Sequence, residues 1–127
     1  MREFRRPRLW LGVWVFGIAL CITLSLLPPI ELGAPRDSDK LGHLLAYFTL
    51  SAWAVMLFRS RRSQFFAALG LFVLGLSMEW AQAQLTTTRL GDPRDALANT
   101  LGILAGLVLA FTPAATFLQV FERRFFR

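Results

Sequence analysis

Three pairs of polar side chains stand inside or beside otherwise apolar stretches of this 127-residue sequence. The pairs are His43 with Tyr47, Glu79 with Gln82, and Asp95 with Asn99. Residues three or four apart lie on one side of an α-helix, so each pair can face a common neighbour. An imidazole beside carboxyl groups suits general acid–base chemistry, which makes Glu79, His43 and Asp95 the candidate catalytic residues.

Glu79 is the most informative of these residues because a carboxylate within a membrane span is costly. It is tolerated when it is paired, protonated or in contact with water. A His, Glu and Asp set is also a weak signal for a divalent cation, but one His without the usual metal-ligand spacing predicts no metal site. No cofactor follows from the sequence.

Cations near the same helix ends add a second kind of chemistry. The predicted ligand-binding residues are Asp39, Lys40, Gln82, Arg89, Arg94 and Asn99. Helix N-termini with lysine and arginine nearby form receptors for phosphate or carboxylate groups. The expected ligand is therefore an anionic lipid or a lipid-linked cell-envelope intermediate.

The elements that position these residues are long apolar segments. The chain is 55% hydrophobic with a mean hydropathy of +0.50, which indicates a lipid bilayer as its surroundings. Spanning the hydrocarbon core takes about 20 apolar residues as a helix. The predicted spans are residues 9–27, 41–58, 64–85 and 93–111, within a single domain covering residues 1–127.

Charge placement orients these spans. Arginines before the first span and between the second and third predict that these parts face the cytoplasm. The arginines are Arg2, Arg5, Arg6, Arg8, Arg59, Arg61 and Arg62. The fold prediction is therefore an all-α, polytopic membrane four-helix bundle with both termini cytoplasmic. The C-terminal tail contains phenylalanines, such as Phe117 and Phe121, together with arginines, and this composition predicts a short interfacial helix.

Other classes of protein fit the sequence poorly. A net charge of +6 could suggest nucleic acid, but the basic residues stand as topology signals between apolar runs. The single cysteine, Cys21, allows neither a disulfide framework nor a cysteine zinc site within one chain. The first apolar run is long and lacks a cleavage pattern, which favours an uncleaved anchor.

Structural roles compete with the functional ones. Asp92 before Pro93 is typical of a helix N-cap, and Asp39 is typical of a first-turn acid. Gly102 and Gly106 have the spacing of a close helix-packing seam. Tyr47 and the tryptophans suit packing or interface roles, and His43, Gln82 and Asn99 could be interhelical hydrogen bonds alone.

The order of these residues resembles the VanZ-like family of small bacterial membrane proteins, named after a protein associated with teicoplanin resistance. The resemblance runs from Asp39 to Gly106. Its motifs are Asp39-Lys40 with His43, Glu79 with Gln82, Arg89, and Asp95 with Asn99 and Gly102. The loop before Arg89 departs from the family pattern, with threonines where a Pro-Gly turn is expected. The resemblance implies a location in a bacterial cytoplasmic (inner) membrane and a role in the cell envelope or the glycopeptide antibiotic response, with no settled reaction.

Two functional hypotheses follow from the sequence. In the first, the polar residues form a site at the external membrane face that binds or acts on the anionic ligand. In the second, the protein is a non-catalytic accessory or assembly factor whose polar cluster holds the bundle together. A transporter or channel is disfavoured because the inner halves of the spans are almost wholly apolar.

Overall fold

The computed structural model describes residues 2–26, 38–85 and 93–125, and these residues form an all-α structure. Four long helices come first: α1 (Pro7–Leu26), α2 (Ser38–Leu57), α3 (Arg61–Leu85) and α4 (Pro93–Val108). Two short 3-10 turns, Leu109–Phe111 and Pro113–Thr116, lead into α5 (Phe117–Phe125). The four predicted apolar segments are therefore helices, and a fifth helix stands in the predicted tail.

Local chemistry explains two of the helix boundaries. Ser60 begins α3 as an N-cap, since its hydroxyl accepts a hydrogen bond from the Ser63 N–H at 3.1 Å. The chain turns after α4 at Thr112, which is extended (φ −126°, ψ 160°) and precedes Pro113. The bend between residues 96–111 and 113–125 is 87°. This bend directs α5 across the end of the bundle.

Close packing fixes α2 against α4. A side chain added at Gly102 would meet the Leu44 carbonyl and lie 2.9 Å from the Phe48 nitrogen. One added at Gly106 would lie 2.6 Å from Ser51 Cβ. The predicted small-residue seam is confirmed. Because later residues of α4 meet later residues of α2, the two helices run parallel and begin at the same end.

The other two long helices run in the opposite direction. The Trp14 indole of α1 donates to the Leu50 carbonyl at 2.9 Å, whereas Arg2 N–H, before α1, reaches the Leu57 carbonyl at 2.7 Å. Gln64, early in α3, donates to the Phe58 carbonyl at 2.8 Å. The helix directions therefore alternate along the chain, as a succession of membrane crossings requires.

The outer surface is strongly apolar. Large hydrophobic side chains such as Phe16, Phe65 and Trp80 are about two-thirds exposed, at 68%, 59% and 62%. Exposed large hydrophobic side chains in this number are typical of helices that contact lipid or a partner. Among the described residues, segments Pro7–Leu24 and Arg61–Ala81 are long and apolar enough to cross a membrane, and the bent α4–α5 pair would be a third if it is one span. Gly42–Leu57 is apolar but shorter.

Candidate ligand site at the four-helix junction

Tyr47 and Asn99 lie beside each other in the interior, at the point where α2, α3 and α4 meet. Tyr47 is 1% exposed and Asn99 is 4% exposed. A side chain added at Gly75 of α3 would lie 3.1 Å from Asn99 Nδ2 and 3.6 Å from Tyr47 Cε1. The absence of a side chain at Gly75 therefore makes the space in which these two polar groups sit.

Two further polar side chains reach the same place. The Cys21 thiol of α1 and the Glu79 carboxyl of α3 are close enough to act electrostatically on the Tyr47 hydroxyl. Cys21 packs against the core cluster to which Tyr47 belongs. Each of the four long helices thus contributes one polar group to one location. We name these four residues, Cys21, Tyr47, Glu79 and Asn99, the four-helix junction.

Hydrogen bonding at the four-helix junction is incomplete. Within the described residues, neither Tyr47 Oη nor Asn99 Oδ1 has a hydrogen-bond partner of good geometry, although both atoms are buried. The neighbouring Cys21 thiol forms a hydrogen bond with the Tyr47 hydroxyl, which is weak because sulfur is a poor donor and acceptor. More than nine in ten buried polar groups in folded proteins are paired, so two neighbouring atoms without a good partner set this location apart from the rest of the interior.

The predicted site residues fall into three groups by how far the structure describes them. His43 lies one turn before Tyr47 on α2 and is partly buried, as is Glu79, so these two and Asn99 lie along one side of the interior. Asp39 and Lys40 fall in the first turn of α2, Arg94 and Asp95 in the first turn of α4, and Gln82 near the end of α3. The side chains of these five residues, and the whole of Arg89, lie outside the described part of the chain.

The parallel arrangement of α2 and α4 brings the first turns that carry Lys40 and Arg94 to the same end of the bundle. Free N–H groups and the positive ends of two helix dipoles accompany them. Tyr47 is nine residues into α2, roughly 13 Å along the helix from Ser38. The four-helix junction is therefore deeper in the bundle than the predicted cations.

A metal centre finds no support in the described side chains. They contain no group of three or more His, Cys, Asp or Glu residues placed to hold a metal ion. Asp95 is outside that description, so the weak His, Glu and Asp signal of the sequence is not tested.

The opposite end of the bundle holds a buried carboxylate that the sequence did not single out. Glu122 of α5 is 2% exposed and accepts hydrogen bonds from Arg5 N–H at 2.5 Å, Arg6 N–H at 3.1 Å and Trp10 Nε1–H at 2.5 Å. We name these four residues the Glu122 cluster. Its carboxylate caps the N-terminus of α1 from another helix.

The electrostatics of the Glu122 cluster fit a structural role. Burial alone would raise the pKa of the Glu122 carboxyl, but the hydrogen bonds from Arg5, Trp10 and Arg6 and the Arg5 charge together hold that pKa below its usual value. One signal in the sequence points to Glu122: it follows Leu118 by four residues, on the side of α5 that a core residue occupies.

Comparison with known proteins now identifies the family. The sequence matches the model of the VanZ/LLP1 family over residues 4–118. The chain belongs to the VanZ/LLP1 family. The match includes α1 to α4 and both 3-10 turns, which is wider than the stretch that carried the sequence resemblance. Neither the curated proteins nor the solved structures gave a match.

Membership in the VanZ/LLP1 family and the exposed apolar helices together make the chain a membrane protein. Two residues of the four-helix junction were not among the predicted VanZ-like site residues. The sequence predicts a packing or interface role for Tyr47; its burial supports packing, and its hydroxyl lies beside the polar groups of Cys21 and Asn99. Cys21 stands in a long apolar run that has no inward face marked by charge, so only the packing of α1 against α2 could place it.

Proposed function

We propose that this protein spans the bacterial cytoplasmic membrane four times with both termini inside, as one domain, and binds an anionic lipid or lipid-linked cell-envelope intermediate. Its binding site extends from the first turns of α2 and α4 to the four-helix junction. The buried Asn99 Oδ1, which has no hydrogen-bond partner within the described residues, and the neighbouring Tyr47 hydroxyl, which is close to the weakly bonding Cys21 thiol, carry this proposal. An interior polar group without a strong partner is expensive in a bundle.

The two ends of this site have different chemistry. Lys40 and Arg94, in the first turns of two parallel helices, supply positive charge and free N–H groups for a phosphate. His43 and Glu79 are placed between that end and the middle of the bundle. The groups present therefore support binding of a charged headgroup, with Glu79, His43 and Asp95 as the acid–base candidates of any reaction on it.

A lipid-binding measurement on the purified protein tests the proposal. In detergent, phosphatidylglycerol should raise the melting temperature, whereas phosphatidylcholine should not, because a ligand that binds only the folded state stabilises it by mass action. Replacing both cations, Lys40→Gln with Arg94→Gln, should weaken phosphatidylglycerol binding about 10-fold through loss of charge-assisted hydrogen bonds.

Arg62→Gln is the matched control. Arg62 is exposed in the first turn of α3, at the opposite end of the bundle, so its loss removes a charge without touching the proposed site. If Arg62→Gln weakens binding as much as Lys40→Gln with Arg94→Gln, the attraction is a general property of a basic protein and the proposed site is wrong. If the protein binds neither lipid, the accessory-factor hypothesis replaces the proposal.

A further inference from the structure

Positive charge is concentrated at the end of the bundle that carries α5, which we name the α5 end. Three segments, residues 2–8, 59–62 and 122–127, contain 10 of the chain's 14 lysine and arginine residues but 2 of its 8 acidic residues. The described parts of these segments meet, because the Arg2 N–H donates to the Leu57 carbonyl at the end of α2 and α5 accepts hydrogen bonds from residues 5 and 6. The exposed arginines among the described residues there are Arg5, Arg6, Arg8, Arg59, Arg61, Arg62, Arg123 and Arg124.

α5 carries a row of phenylalanines beside this charge. Its other side is fixed to the bundle, since Leu118 and Glu122 are buried and Glu122 accepts three hydrogen bonds from the start of α1. Phe117, Phe121 and Phe125 are four residues apart and form one row, with neighbouring ring centres 6.3 Å and 4.8 Å apart. The first and last of these rings are more than half exposed, at 58% and 63%. Because apolar rings are costly in water, this row favours contact with hydrocarbon.

Arginine and phenylalanine side chains at the α5 end are in contact with each other. Arg61 Cζ lies 4.3 Å from the centre of the Phe111 ring, and Arg124 Cζ lies 5.8 Å from the centre of the Phe125 ring. Rings and guanidinium groups at one level match the boundary of a bilayer, where acyl chains meet phosphates and long cationic side chains place their heads. The charge alone would also suit a soluble polyanion. The phenylalanine row favours a partner that is anionic and apolar together.

We infer that α5 lies in the membrane interface and binds the anionic phospholipid surface of the leaflet at its own end of the bundle. Arg123 and Arg124 contact lipid phosphates, and the phenylalanine row enters the acyl-chain boundary. The Glu122 cluster holds α5 in place beforehand, so binding costs little ordering. This surface lies at the opposite end from the proposed ligand site and acts through the charge of a whole leaflet. It therefore requires a bilayer, which a few lipid molecules in detergent do not provide.

Hydrogen exchange of the α5 amides, measured by mass spectrometry on the whole protein in nanodiscs, tests the inference. The peptide covering residues 117–125 should exchange about 10-fold more slowly in phosphatidylglycerol than in phosphatidylcholine, because lipid contact suppresses the local opening that exchange requires. About 0.5 M salt should remove most of this difference by screening the charges. Arg123→Gln with Arg124→Gln should also remove most of it, whereas Arg123→Lys with Arg124→Lys should keep it, since the attraction depends on charge.

Lys40→Gln with Arg94→Gln is the matched control, because it removes two charges at the opposite end of the bundle. It should leave the difference at α5 unchanged, whether or not the proposed function is right. Equal exchange of residues 117–125 in the two lipids, or a difference that Arg123→Gln with Arg124→Gln leaves unchanged, would overturn the inference and leave the arginines as topology signals alone. If heparin added to phosphatidylcholine nanodiscs slows exchange as much as phosphatidylglycerol does, the α5 end binds soluble polyanions and the inference is wrong.

Discussion

The buried carboxylate of Glu122 in α5 accepts three hydrogen bonds from residues at the start of α1. In the interior, where α2 meets α4, the buried Tyr47 hydroxyl and Asn99 amide oxygen have no hydrogen-bond partner of good geometry within the described residues. The two regions are about equally shielded, since Glu122, Tyr47 and Asn99 are all less than 5% exposed. Burial alone therefore does not distinguish them. The completeness of their hydrogen bonding does.

This difference separates a structural polar cluster from a binding site. A buried polar group with all its partners stabilises and orients the elements that carry it. A buried polar group without partners costs stability until something binds, and such a cost persists where it serves function. By this criterion the Glu122 cluster fastens α1 to α5, and the four-helix junction is the better candidate for the proposed binding site.

The largest effect is expected at the Glu122 cluster. Glu122→Ala removes the acceptor of the Arg5 N–H, Arg6 N–H and Trp10 Nε1–H hydrogen bonds, and we expect a loss of about 3 kcal/mol in the free energy of unfolding. Reversible unfolding in mixed micelles with increasing dodecyl sulfate measures it. Glu3→Ala, at an exposed position close by, is the control and should change stability little. If Glu122→Ala is as stable as the parent, the Glu122 cluster does not stabilise the folded protein and its structural role is wrong.

The α2–α4 seam is expected to be the next most sensitive region, because it sets the distance between Tyr47 and Asn99. Gly106→Ala would place a methyl group 2.6 Å from Ser51 Cβ and 2.8 Å from the Ala52 nitrogen, and we expect about 2 kcal/mol of destabilisation.

Gly70→Ala is the matched control for the seam. A methyl group there meets nothing within 4 Å, so it should be neutral or stabilising by up to about 1 kcal/mol. If Gly106→Ala and Gly70→Ala have the same free energy of unfolding, the close approach of α2 and α4 does not limit stability.

Acid should lower the stability of the folded protein by protonating Glu122. The pKa of Glu122 is lowered in the folded protein, so the unfolded chain takes up the proton more readily. The stabilisation is therefore complete above the ordinary Glu pKa of about 4.3 and is lost as pH falls through the lower folded value. Glu122→Gln should abolish this part of the pH dependence in unfolding measurements below about pH 5. If the pH dependence of the unfolding free energy is the same in Glu122→Gln as in the parent, groups other than Glu122 are responsible for it.

The positions of the helices could be predicted from the sequence because each apolar segment is bounded by prolines or charged residues. The predicted segments 9–27 and 64–85 correspond to α1 (Pro7–Leu26) and α3 (Arg61–Leu85). The number of membrane crossings stays a prediction for α2, whose described apolar part, Gly42–Leu57, is short.

The candidate site was predictable only in part. Tyr47, Glu79 and Asn99 could be placed on inward faces because each has a polar partner at helical spacing. Cys21 and Glu122 could not, since each depends on how distant helices pack: Cys21 on α1 against α2, and Glu122 on the 87° bend that returns α5 to Trp10. Helical periodicity describes one helix at a time and carries no information about such contacts.

The central claim, that the four-helix junction is a binding site and not a structural network, is tested most directly by the unfolding free energy of Tyr47→Phe without added lipid. A hydroxyl whose described partner is a thiol contributes little hydrogen bonding to the folded state. We therefore expect Tyr47→Phe to equal the parent within about 0.5 kcal/mol or to be more stable. A loss of about 1.5 kcal/mol or more would show that the hydroxyl is paired in the folded protein, and would contradict the account.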